Sequence, residues 1–162
     1  MPIFTATIAS VSATTVAQDV FELVGSSQDR TRLRGVRLGQ NSIALSSQAS
    51  ILGVQIIRGY DVASSGGTAV TPRNIHSWSS RAANGTVTRL STTVASSSTA
   101  TPHVLEANDW HVIQQPYEYA PCEESMPWLK MSERLVVRIT APSTTLAISA
   151  TIEFEECPQV PA

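Results

Sequence analysis

The residues able to do chemistry are few and scattered. Three histidines (His76, His103, His111) and two cysteines (Cys122, Cys157) stand among 21 serines and 17 threonines. A nucleophilic serine needs a base within hydrogen-bond reach and a third group to orient that base. With so many serines a Ser-His-Asp set can be drawn anywhere. No Gly-x-Ser-x-Gly elbow, glycine-rich phosphate loop or His-Glu-x-x-His pair singles one out. Asp109 and His111 lie two apart and would share a face of a strand, with His103 or Glu106 as further donors. Zinc sites, however, use closer Cys or His pairs. Cys122 and Cys157 adjoin Glu123 and Glu156, and a neighbouring carboxylate raises a thiol's pKa rather than activating it. The two could pair, but without any other sign of a disulfide framework they read as reduced thiols. The expectation is a protein that is not an enzyme and takes no cofactor or metal.

Binding is the better prospect. Trp78, Trp110 and Trp128, with Tyr60, Tyr117 and Tyr119, could line a sugar platform if several were exposed and coplanar. In a chain with so few aromatics they serve more naturally as core plugs or contact anchors. Arg30, Arg32, Arg34 and Arg37 could meet phosphates, but the acids elsewhere weaken that reading, and a solvated or subunit-facing strand surface fits better. The contact candidates are therefore Arg30, Arg32, Arg34, Trp78, Tyr117, Tyr119 and Trp128, with no nucleic acid expected as a partner.

Charge is unevenly spread along the chain. Residues 30–89 hold eight arginines and one acid, whereas residues 106–156 hold nine acids and three bases; the total is −2. Either the blocks interleave across sheets and neutralise one another, or the molecule has a basic and an acidic side suited to matched neighbours.

These side chains must be placed by a β-rich scaffold. The 162 residues are 15% charged, against about 25% for an average soluble protein, and the deficit is made up by hydroxyls. That length predicts one domain over 1–162. No apolar run approaches the roughly 18 residues of a membrane span. The first residues lack the basic and apolar regions of a secretory signal and read instead as an N-terminal strand or arm over 1–15.

Leu146, Ile148, Ala150, Ile152 and Phe154 alternate with small or polar neighbours, as do Leu135, Val137 and Ile139, so both stretches read as half-buried strands. The short connector 141–145 predicts that they form an antiparallel hairpin. Phe4, Ala6 and Ile8 mark another strand, and 18–24 a further one. The segment 30–38 changes phase, which a bulge at Gly35 would repair by turning Leu33, Val36 and Leu38 inward. Residues 51–60 are apolar on both parities, as in a central strand covered on two sides. Asn84-Gly85 is a tight-turn signal ahead of 86–94. Residues 103–113 read as one or two strands with a turn at 106–109, 117–128 as a long ordered loop, and 157–162 as a tail. Seven to nine short strands predict an all-β fold, a β-sandwich or jelly roll.

Three stretches carry a resemblance: Ala17-Gln-Asp-Val-Phe-Glu-Leu, Arg34-Gly-Val-Arg-Leu-Gly-Gln, and Gly53-Val-Gln-Ile-Ile-Arg-Gly-Tyr. With Val70-Thr-Pro-Arg, Ser132-Glu-Arg-Leu-Val-Val-Arg and Ala150-Thr-Ile-Glu-Phe-Glu-Glu, the chain resembles small virion proteins of tailed bacteriophages from about residue 16 to 156. The resemblance implies a β-sandwich structural protein, most like a capsid decoration or cement protein. Its implied partner is the major capsid protein; a homotrimer is expected because it can sit on a three-fold position of a shell, with the basic and acidic blocks serving head-to-tail contacts between copies. Its implied place is the capsid surface, after synthesis in the host cytoplasm. The motifs are strand patterns, so no site residue comes with them. A tail- or fibre-associated sandwich binding carbohydrate is the alternative.

Overall fold

Alternating apolar residues in many short runs need a second layer to cover them, and the chain supplies it from its own strands. The computed structural model describes residues 1–40, 51–76, 78–112, 115–140, 142 and 145–158. Within them the strands are β1 Ile3–Ala13, β2 Gln18–Val24, β3 Asp29–Gln40, β4 Ile51–Tyr60, β5 Thr68–Val70, β6 Arg73–Asn74, β7 Thr86–Ser91, β8 His103–His111, β9 Tyr117–Tyr119, β10 Trp128–Leu129, β11 Arg134–Ile139 and β12 Leu146–Pro158. A single 3-10 turn spans Glu123–Ser125. β5, β6, β9 and β10 have only two or three residues; the other eight strands build the fold.

The first sheet runs β10-β3-β12-β1-β6, with β9 also on β3, and the second runs β5-β7-β2-β11-β4-β8. Every pairing within them is antiparallel. Phe4, Leu33 and Phe154 of the first sheet meet Phe21, Val54 and Leu135 of the second in one fully buried core. The fold is a single-domain β-sandwich, as the strand pattern predicts.

Local expectations hold where side-chain parity decides them. β2 spans 18–24 as read. β3 does bulge, one residue earlier than expected: its pairing with β12 steps from Gly35 opposite Glu153 to Leu33 opposite Phe154, leaving Arg34 as the extra residue. Leu33, Val36 and Leu38 are thereby all buried. On β4, Leu52, Val54 and Ile56 face the core, while Ile57 turns to the outer face and packs on Ala95 and Val136.

Pairing was less legible. The expected hairpin of 134–140 with 146–155 does not form: β11 lies in the second sheet between β2 and β4, and β12 in the first between β3 and β1. Leu135, Val137, Ile139, Leu146, Ile148, Ile152 and Phe154 are all buried, but from opposite walls of the core. Among the described residues no two strands consecutive in the chain pair with each other. Short connectors here cross between sheets. β8 is continuous through 106–109, with a register shift between Val104 and Glu106 in place of a turn. The stretch 117–128 is no free loop: β9 and β10 bind it to β3 at both ends. Cys157 and Pro158 belong to β12, and 159–162 lie outside the described residues.

Candidate interaction surface

The basic and acidic blocks of the sequence interleave. On the first sheet Arg32 Nη2 lies 2.7 Å from Glu155 Oε1, and Arg34 meets Glu155 Oε2 at 2.7 Å and Glu153 at 3.0 Å. Arg37 pairs with Glu118, and Arg81 with Asp29. On the second sheet Arg134 pairs with Glu22 and Arg138 with Asp19. Most of these pairs join the two blocks within one chain, so neutralisation is the arrangement that folding selects and the two-sided reading is corrected. Burying a charge is costly unless a partner accompanies it, which forces this pairing wherever a strand carries charge under cover.

The outer face of the second sheet is covered by its own chain. Asp19 Oδ2 accepts from the Ala95 amide at 2.6 Å, and Glu22 Oε2 accepts from the Ser64 amide at 2.8 Å and from the Ser64 hydroxyl. Asp61 accepts from the amides and hydroxyls of Ser98 and Thr99 and from the Ala100 amide. The Ser98 and Thr99 amides hold its carboxyl far below the usual carboxylate range. Residues 95–100 thus form a lid pinned by Asp19 and Asp61, and Glu22 pins the stretch around Ser64 beside it.

Among the described residues the outer face of the first sheet has no such lid over its whole width. Register places Ile3, Glu155, Arg32 and Trp128 in one row across β1, β12, β3 and β10. Ile75 extends the row, since its amide donates to the Ile3 carbonyl at 3.0 Å. In the next row Met1 touches Cys157, which lies opposite Arg30. Arg32 sits over the Trp128 ring at 4.9 Å, a cation–π contact whose charge Glu155 already balances. The result is a floor, charge-balanced in the row of Arg32 and Glu155, rimmed by exposed apolar groups: Trp78 83%, Met1 71%, Met131 47%, Ile75 46% and Trp128 41% exposed. Trp78 stacks on His76 with ring centroids 5.2 Å apart. Two hollows flank the floor. One, of about 420 Å³, is lined by Met1, Pro2, Asn74, His76, Trp78, Ser79 and Arg81. The other, of about 470 Å³, is lined by Arg30, Trp128, Leu129, Lys130 and Met131.

Six of the seven contact candidates lie on β3 or on the short strands beside it; Trp78 stands apart, next to β6. Arg30, Trp78 and Trp128 are exposed on this surface. Arg32 and Arg34 are occupied by Glu155 and Glu153. Tyr117 is a correction: it is buried in the main core, and burial with the nearby Glu106 and Tyr119 pushes its hydroxyl up to about 12. Tyr119 is half-buried against the same core. Met1, Ile75, Lys130 and Met131 were not singled out by sequence, because only the pairing of β6 and β10 shows which way they face. Asp109 and His111 do share a face of β8, opposite Gly53 and Ile51. Among the described residues no three His, Cys, Asp or Glu side chains gather closely enough to hold a metal. Cys122 is exposed and Cys157 buried, both as free thiols.

No family model matches the chain, and no curated protein matches it. Among solved structures there is a likeness to that of infectious bursal disease virus, Gx strain, at 12% identity and a TM-score of 0.14. It covers 97% of this chain and 38% of the other, and at that score carries no argument.

Proposed function

We propose that this protein is a non-enzymatic structural component of a tailed-bacteriophage virion, a decoration or cement subunit on the capsid surface that bridges major capsid protein subunits. The observation that carries the reading is the outer face of the first sheet. Trp78, Trp128, Met1, Met131 and Ile75 are exposed around a floor in which Arg32 and Arg34 are paired with Glu155. Large apolar side chains held on one face of a sheet suit a broad macromolecular partner, and tryptophan is among the commonest anchors of such contacts. The phage resemblance supplies the kind of partner.

A homotrimer seated on a shell's three-fold positions is part of the proposal. It rests on lattice symmetry alone, since the charge blocks that would have favoured head-to-tail contacts are paired within the chain. The carbohydrate-binding alternative needs aligned, exposed tryptophans. Trp110 is buried, with its indole N–H donating to the Gln115 carbonyl at 2.8 Å, which leaves Trp78 and Trp128 at separate hollows. The test is sedimentation of the purified protein followed by its addition to undecorated capsids. Saturable co-sedimentation supports the reading. A monomer without affinity for capsids that binds glycans or tail components overturns it.

A further inference from the structure

We infer that the outer face of the first sheet receives an extended, acidic segment of a partner protein, with two apolar side chains about six positions apart, one for each hollow. This deepens the reading above and rests on it for the partner being a protein.

The spacing follows from the sheet. β10 and β6 are separated by four inter-strand steps in the order β10-β3-β12-β1-β6. At about 4.8 Å each this is roughly 19 Å, which an extended chain covers in about six residues at about 3.3 Å per residue. The hollow beside β10 offers Trp128, Leu129 and Met131; the one beside β6 offers Met1, Pro2 and Trp78. Both linings thus include large apolar groups, and methionine adapts readily to an incoming side chain.

The charge preference follows from what folding leaves unpaired. Arg30, Arg73 and Lys130 are exposed on or beside this face, and among the described residues none of them forms an ion pair. The acids nearby are largely engaged: Glu153 and Glu155 by Arg34 and Arg32, Asp29 by Arg81 and Asn84, Glu156 by the Asn84 and Gly85 amides. Glu133 accepts from the Lys130 amide at 2.7 Å, and Glu123 stands 3.6 Å from Arg32 at the margin beside the exposed Glu124. A segment crossing between the hollows passes the row of Arg30, so carboxylates at its middle positions meet cations without displacing an existing pair.

A blocked ten-residue peptide tests this: leucine at positions two and eight, glutamate at four and six, serine elsewhere. Trp78 and Trp128 are exposed and Trp110 is buried, so binding shifts the tryptophan emission to shorter wavelength. The expected result is saturable binding that weakens with added salt and falls at least tenfold with lysine in place of glutamate. Trp128→Ala and Trp78→Ala should each weaken it at least tenfold, and the double variant Arg30→Glu/Lys130→Glu should prefer the lysine peptide. Met131→Ser serves if Trp128→Ala fails to fold. No binding at millimolar peptide, equal binding of the lysine peptide, or indifference to both tryptophan variants overturns the inference. Capsid binding by wild type that persists unchanged in the tryptophan variants also overturns it while leaving the virion reading in place. Peptide binding without capsid binding does the reverse.

Discussion

Asp19 on β2 and Arg138 on β11 stand opposite each other on the outer face of the second sheet, and together they hold the backbone of Ala95 from both sides. Arg138 Nε donates to Asp19 Oδ1 at 2.7 Å and Arg138 Nη2 donates to the Ala95 carbonyl at 2.7 Å, while Asp19 Oδ2 accepts from the Ala95 amide at 2.6 Å. Asp19 is fully buried, and the Tyr60 ring lies 5.1 Å from the guanidinium. Removing one member leaves the other charge under cover without its partner. Asp19→Ala should therefore cost about 3–5 kcal/mol in urea unfolding. Adding Arg138→Met should return part of that loss, because no uncompensated charge then remains. A double variant no more stable than Asp19→Ala would show that the pair does not act as a unit.

Phe154 and Phe4 stack across β12 and β1 with centroids 5.7 Å apart, both fully buried. Phe154→Ala removes a ring from a core that cannot collapse around it and should cost about 3–5 kcal/mol. Trp78→Ala, on the exposed rim, should stay within about 0.5 kcal/mol of wild type. Thermal melts of the two variants side by side check the contrast, and equal effects would contradict the assignment of inside and outside.

The core was legible because parity along a strand needs no knowledge of partners. Leu33, Val36 and Leu38 betrayed their bulge through a phase change, and Phe154 and Ile152 their burial through a period of two. Pairing was not legible for a physical reason. A connector such as 141–145 is equally able to turn a hairpin or to cross between sheets, and here β11 and β12 face each other across the core. The interaction surface was half legible. Trp78, Trp128 and Arg30 stood out by type, but Ile75 and Met1 join them only through β6 pairing with β1 and the long register of β1 with β12. The charge blocks misled most readily, because ion pairs such as Arg34–Glu155 close over more than a hundred residues of chain.

Such non-local pairing also orders the two thiols differently. Cys122 is exposed beside the 3-10 turn, while Cys157 is buried under Met1, where burial and the Glu155 carboxylate push its thiol up. The thiolate is the reactive form, so an aromatic disulfide reagent should titrate one thiol quickly in native protein and two after denaturation. Two fast thiols would mean that β12 frays at its end; fewer than two after denaturation would mean a bridge.

Asp61 is the organising group of the connector 98–100. Three amides and two hydroxyls converge on its carboxylate, so Asp61→Ala deprives them of their shared acceptor. Hydrogen exchange at Ser98, Thr99 and Ala100 should accelerate at least tenfold in that variant while the β11 amides keep their protection. Uniform acceleration through β11 would show that the connector is part of the cooperative core instead.

Glu155 sets the acid limit of the first sheet. Burial works against its charge, but the hydrogen bond from Arg34 and the nearby Arg32 outweigh it, and its carboxyl is held below the ordinary value. A carboxylate depressed by folding contributes stability that is fully present above its unfolded pKa, about 4.3. That contribution is lost as pH falls through the lower folded value, because the unfolded chain then takes up the proton first. Urea midpoints should therefore be level near neutral pH and fall below about pH 4.3. Glu155→Gln should be less stable than wild type at pH 7, since it leaves Arg32 and Arg34 without the charge that covers them. The gap between the two proteins should close on acidification, because wild type loses the charge that the variant never had. Parallel curves from pH 7 to pH 3 would mean that the two arginines draw nothing from Glu155 that glutamine cannot supply.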